Sequence, residues 1–261
     1  DYAGHPNEVY MSRELARRGH DVLHLYAGSI ETPRGELVKT ASDAPTFEVE
    51  GIFLDKPFLK HTYVRRQLQE IEYGRLLADR VTKYRPDVVL SGNTPLFPQG
   101  RLLKTCRRIG AAFVFWVEDV YGLAVDAGLR RKFPVIGGLV GGYYIRLEKK
   151  LLKQSDKIVL ISEGFLSTMQ RWGVPMADVD VVPLWPPLDE LPVVPKENDW
   201  SRRHGFDRTM NLMYAGTLGT KHNPESLAQL AERFRSRPDV RIIVISEGAG
   251  TRYLQKRKEE S

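Results

Sequence analysis

One cysteine, Cys106, stands alone in 261 residues. No internal disulfide can form, and a reducing compartment such as the cytoplasm is the expected setting. No apolar run approaches the roughly 20 residues that a helix needs to cross a bilayer, and no signal peptide is visible. The fingerprint G-x-G-x-x-G is missing, which counts against a nicotinamide cofactor. No metal-ligand spacing appears. Zinc-finger spacing, RNA-binding aromatic motifs and a concentrated basic recognition helix are also missing, which argues against a nucleic-acid reader.

What remains is an ordinary globular balance, 42% hydrophobic and 28% charged, from which a real core is expected. The length suits two modest domains or one large one. Net charge is +6, and basic clusters recur at Arg17-Arg18, Arg65-Arg66, Arg107-Arg108, Arg130-Arg131-Lys132 and Lys149-Lys150. That excess favours phosphates or an anionic membrane face, with plain solvated surface as the competing explanation for any one pair.

Along the chain, helical and strand patterns alternate. Helices are predicted over Asn7–Arg18, Tyr63–Tyr84, Gly100–Ile109, Tyr143–Lys153 and Glu163–Trp172. Strands are predicted at "HDVLHLYAG", near Phe47–Val49 and Ile52–Leu54, and at "DVVLSG", "AAFVFWVED", "DKIVLIS" and "VDVVPL". Strands separated by helices of this length predict a parallel sheet covered on both faces. The run "PLWPPLDELPVVPKENDW" holds five prolines and little periodicity, as a semi-rigid linker does. The expected division is a domain over 1–185, a linker over 186–207 and the start of a second α/β domain over 208–261. The opening loop and the charged closing helix lead us to expect a piece of a longer protein.

The second domain opens with "NLMYAGTLGTKHNPESLAQL". In an open parallel sheet, ligands sit beyond the carboxyl ends of the strands. Gly216 and Gly219 let the backbone turn and approach a ligand closely. Asn223 is expected as N-cap, with Pro224 at the first helical position. The helix N-terminus and Lys221 would then offer positive charge to a diphosphate. "VRIIVISEGAG" supplies a second strand ending in Glu247, Gly248 and Gly250. At the front, Gly4 precedes the first helix with comparable logic. An ordinary turn with a solvated lysine is the alternative for each loop.

Four stretches together resemble GT-B glycosyltransferases of the large retaining family 4, in its bacterial exopolysaccharide (colanic-acid-type) branch. They are "DYAGHPNEVYMSRELARRGHDV", "SDKIVLISEGFLSTMQRWGVP", "VVPLWPPLD" and "YAGTLGTKHNPESLAQLAERF". The resemblance implies an α/β protein of GT-B type, two Rossmann-like domains facing a cleft, with the C-terminal domain truncated. It implies a nucleoside-diphosphate sugar donor, UDP- or GDP-linked, no further cofactor and no required metal. Gly216, Thr217, Gly219 and Lys221 would surround the diphosphate, with Gly4 approaching from the facing domain and Glu247 and Gly248 near the nucleotide. The acceptor would be lipid-linked or a saccharide, and the sugar a hexose or N-acetylhexosamine.

Departures from the family pattern are Thr217 where an arginine is common, His5 where a second glycine is common, and "FWVEDVYG" where a His-Asp pair is common. This puts Glu118 and Asp119 at the latter position. Asp119 is the expected contact to acceptor or sugar, with a helix-capping aspartate as the alternative. The family's paired glutamates would fall beyond Ser261, so the fragment alone is expected to be inactive. Residues 129–155 read as a glycine-broken apolar loop flanked by cations, suited to the anionic inner face of the plasma membrane, with a packed connection followed by a core helix as the alternative. A nucleotide-sugar epimerase of the same architecture and a non-catalytic phosphate or nucleic-acid binder stay open as other readings.

Overall fold

A computed structural model describes residues 2, 6–30, 35–55, 63–185, 192–219 and 222–260. The chain divides into two compact units, Asp1–Pro187 and Leu188–Ser261.

The first unit begins with α1 (Pro6–Arg17), β1 (Val22–Ala27), β2 (Phe47–Ile52) and α2 (Tyr63–Tyr84). It continues with β3 (Val88–Gly92), α3 (Leu96–Ile109) and β4 (Ala112–Val117), then α4 (Tyr121–Lys132) and α5 (Pro134–Gln154). It ends with β5 (Lys157–Leu160), α6 (Leu166–Trp172) and β6 (Val179–Val181). Every pairing is parallel: β1 with β2, and β3-β4-β5-β6 in that order. The alternation along β4 explains its double role. Phe113, Phe115 and Val117 join the core cluster with Tyr73, Leu152 and Ile158. Trp116 points the other way, as period-2 geometry requires, and stacks on Trp185 at 6.0 Å.

Three local expectations differ from the structure. Phe47–Ile52 is one continuous strand rather than two short runs, because Gly51 does not interrupt its pairing with Tyr26. The third helix starts at Leu96, four residues before Gly100, and carries Pro98 inside its first turn. Proline is tolerated there because the first N–H groups of a helix have no intrahelical partner. The third difference is larger. The expected loop over 129–155 and the helix from Tyr143 are an αα-hairpin, α4 and α5, turning at Phe133.

The second unit holds α7 (Asp199–His204), β7 (Met210–Ala215), α8 (Pro224–Arg233), β8 (Val240–Ile245) and α9 (Ala249–Glu260). β7 and β8 are parallel, with Met210 opposite Val240. α7 lies within the stretch read as a linker. Asn198 starts it through a reciprocal capping box, its side chain accepting from Ser201 N while Asn198 N donates to Ser201 Oγ.

Candidate functional site

In the first unit the polar side chains gather where β3 and β4 end. β3 runs out at Gly92, whose backbone partner in register is Trp116. Asn93 follows in the left-handed region at φ 44°, a conformation that asparagine tolerates better than most residues. Thr94 Oγ1 closes the turn by donating to Gly92 O at 2.9 Å. Because Gly92 has no side chain, two carboxyls fill the space above it. A methyl placed there would lie 3.2 Å from Glu8 Oε1 and 3.5 Å from Glu118 Oε1.

Glu8 comes from the first turn of α1 and is buried at 5% exposure. Apart from each other, neither carboxylate oxygen of Glu8 nor Glu118 Oε1 meets a hydrogen-bond donor among the described residues. Two carboxyls side by side and largely withdrawn from water, Glu8 buried and Glu118 half-buried with its Oε1 covered, are compatible only if one keeps its proton. Burial pushes Glu118 up to about 9, and the hydrogen bond and charge of Glu8 push in the same direction. Glu118 is therefore the protonated member at neutral pH, and it can donate to Glu8.

Asp119 follows at the mouth of the turn and is exposed. It is not the cap of α4. That task falls to Glu148 on α5, 27 residues beyond Tyr121 and 1% exposed. Its Oε1 accepts from Tyr121 N at 2.9 Å and its Oε2 from Gly122 N at 2.7 Å, while Val120 at the N-cap position offers no side-chain bond. Burial drives the Glu148 carboxyl up to about 7, against the two amide bonds, which pull it down. The capping alternative for Asp119 is thus replaced by a residue that local sequence rules do not reach.

In the second unit, both glycine turns leave the carboxyl ends of the paired strands β7 and β8. They are joined through Leu218, which is fully buried. Leu218 N donates to Glu247 O at 3.1 Å, and Gly250 N donates to Leu218 O at 2.8 Å. A side chain at Gly250 would strike Leu218 O at 2.7 Å, and one at Gly248 would lie 3.0 Å from it. Gly216 (φ 139°) and Gly248 (φ 119°) have backbone conformations that disfavour L side chains. Gly216, Thr217, Gly219, Glu247 and Gly248 are therefore brought together on one edge.

Two expectations about this edge need correction. Asn223 is not a side-chain N-cap: it sits at φ 45°, outside the extended region that a cap requires, and its Nδ2 donates to Ser226 Oγ. The loop amides are also largely engaged already. Gly216 N donates to Ile245 O, Leu218 N to Glu247 O, and Gly219 N to His222 Nδ1 at 2.9 Å. That last bond fixes His222 with an unprotonated Nδ1. Gly4, His5 and Lys221 lie outside the described residues. Glu8, Glu148 and Leu218 were missed by the sequence reading. Among the described residues, no group of three or more His, Cys, Asp or Glu could hold a metal ion.

Residues 9–185 match the family model described as Glycosyl transferase 4-like domain. WcaI of Escherichia coli (strain K12), assigned by its name to glycosyl transfer in colanic acid biosynthesis, is 25% identical over 190 residues. That match covers 71% of this chain, and the chain spans 45% of the relative's length. Anabaena Alr3699/HepE, solved with UDP and glucose, superposes with a TM-score of 0.64 at 11% identity, over all of this chain and 64% of that one. A Listeria monocytogenes protein named as a UDP-N-acetylglucosamine 2-epimerase gives 0.56 at 11% identity, over 93% and 61%. At such identities these two structures show a shared fold.

Proposed function

The chain belongs to the glycosyl transferase 4-like domain family, and on that footing we propose that the protein containing it transfers a sugar from a nucleoside-diphosphate donor to a lipid-linked or saccharide acceptor. The product would enter cell-surface polysaccharide. The sugar is a hexose or N-acetylhexosamine, carried on UDP or GDP, and the anomeric configuration is retained. The observation that carries the reading is the family match over most of the first unit, the acceptor side in this scheme. Two glycine turns side by side on one strand edge of the second unit support the donor side.

In this mechanism the acceptor oxygen forms its bond to the anomeric carbon on the face from which the diphosphate departs. The anomeric C–O bond breaks as that bond forms, and the acceptor proton passes to the leaving phosphate oxygen. No protein nucleophile and no metal is needed. The protein's contribution is charge aimed at the leaving group, which is worth most in a site that excludes water. Lys221 supplies a full positive charge to the diphosphate. Since three loop amides are already engaged, the lysine and the N-terminal turn of α8 carry this task. Asp119 receives a hydroxyl of the acceptor or the sugar.

The test is a donor screen by mass spectrometry on the full-length gene product, offering UDP- and GDP-sugars with and without acceptor. Transfer to acceptor supports the reading, whereas conversion of the donor sugar without acceptor would identify an epimerase. Lys221→Ala is expected to weaken donor binding by about 1–3 kcal/mol, the worth of a lost charge-assisted contact. An unchanged calorimetric affinity would reject the donor assignment.

A further inference from the structure

The α4–α5 hairpin is built inside out. Its seam is glycine rather than large apolar side chains. A methyl at Gly137 would lie 2.5 Å from the Leu129 carbonyl carbon, one at Gly141 2.5 Å from Asp126 Cα, and one at Gly122 2.9 Å from Ile145 Cα. The two helix backbones therefore touch, as they do where small residues at i and i+4 line a helix interface within lipid. The large apolar side chains of the same turns are left outside. Phe133 is 58% exposed, Val135 78%, Ile136 68%, Leu139 73% and Tyr143 50%, with Val140 beside them. A water-soluble hairpin normally does the reverse.

Charge distinguishes the possible occupants of this face. From residue 127 to 154 the one acidic residue is Glu148, which is buried in its capping role, so every exposed charge there is positive. Arg131 and Lys132 flank the turn, and Arg146 and Lys150 follow along α5. A two-fold dimer through this face would bring those cations against their own copies, whereas an anionic surface is complementary to them. Long basic side chains can lie along the apolar tip with their charged ends at headgroup level. None of the described helices is long and apolar enough to cross a bilayer.

We propose that the tip of the α4–α5 hairpin inserts into the headgroup region of a bilayer rich in anionic phospholipid, with Ile136 and Leu139 as its apolar anchors and Arg131 and Lys132 as its electrostatic contacts. The glycine seam makes the hairpin thin and stiff enough to enter without unfolding. This docking is independent of the proposed chemistry, because its readout requires neither donor nor acceptor.

The experiment is vesicle flotation of the full chain at low ionic strength, using phosphatidylcholine alone or mixed three to one (about 75:25) with phosphatidylglycerol. Binding to the mixed vesicles is expected and should weaken steeply with salt. Leu139→Asp combined with Ile136→Asp should reduce partitioning on the order of tenfold or more while leaving the circular dichroism spectrum intact, since both sites are exposed. Arg131→Glu with Lys132→Glu should remove the preference for anionic vesicles. A Leu139→Trp variant should show blue-shifted emission on binding. No binding by the parent chain, or equal binding by the doubly aspartate-substituted form, would overturn the proposal. So would a dimer in sedimentation that the same aspartates dissolve, which would make a second copy the occupant.

Discussion

Glu148→Ala is the most informative single substitution for the turn between β4 and α4. The carboxylate holds two N-terminal amides of α4 at 2.9 and 2.7 Å, and both belong to the set that a helix cannot satisfy internally. Hydrogen bonds to a charged acceptor contribute about 1.5–3 kcal/mol each, and leaving a buried donor unpaired costs a similar amount. Two such bonds would give about 3–6 kcal/mol, but Glu148 titrates near 7, so part of the population is neutral at that pH. The lower half of that range, about 3–4.5 kcal/mol, is therefore expected at pH 7. Glu148→Gln keeps one acceptor and turns its NH2 towards the other amide, for a loss of about 1–2 kcal/mol. Denaturant unfolding measures the totals, and amide exchange at Tyr121 and Gly122 reports the cap itself. If alanine leaves those two amides as protected as in the parent, Glu148 is not the cap and the account of this turn fails.

Glu118→Gln should flatten the pH dependence of stability. The folded carboxyl is raised from 4.5 to about 9, so the folded state holds that proton more tightly; its contribution is complete below 4.5 and is lost as pH rises towards 9. Urea midpoints that fall equally steeply across that window in parent and variant would refute the proton-sharing pair. Leu218→Ala should destabilise the second unit by about 2–3 kcal/mol, the low end for a buried leucine at a site with a loop on one side. Hydrogen exchange should then rise at both glycine turns together, and a rise confined to residues 216–219 would show that Leu218 does not join them.

Much of the framework was legible because it is locally encoded. The bounds of α2 follow from an amphipathic stripe ended before Pro86, and the strands of the first unit are apolar runs whose order alternates with helices. α4 was not legible. "YGLAVDAGLRRK" carries no cap at Val120 and two glycines, and its capping carboxylate sits on the next helix. The glycines of α5 suggested a loop because glycine costs about 1 kcal/mol in a helix; only contact with the α4 backbone explains their use. Glu8 resembles an ordinary acidic residue in a first helical turn, and nothing local signals that it faces Glu118 across Gly92. Asn223 misled for a different reason, since its identity fits a cap while its backbone does not.

The site's carboxyls divide by task, which allows a clean test of Asp119. A capping aspartate replaced by alanine costs about 1 kcal/mol, but both amides it would serve already belong to Glu148. Asp119 is exposed, so Asp119→Ala should change stability by less than about 0.5 kcal/mol, as surface substitutions do. If its carboxylate receives a substrate hydroxyl, the same change removes a charged hydrogen bond of about 1.5–3 kcal/mol, on the order of 10- to 100-fold in kcat/KM. Turnover by the full-length protein and unfolding of the same preparation therefore move apart under the functional reading and together under a structural one. Unaltered kcat/KM with unaltered stability would leave Asp119 as plain solvated surface and reject it as the acceptor contact.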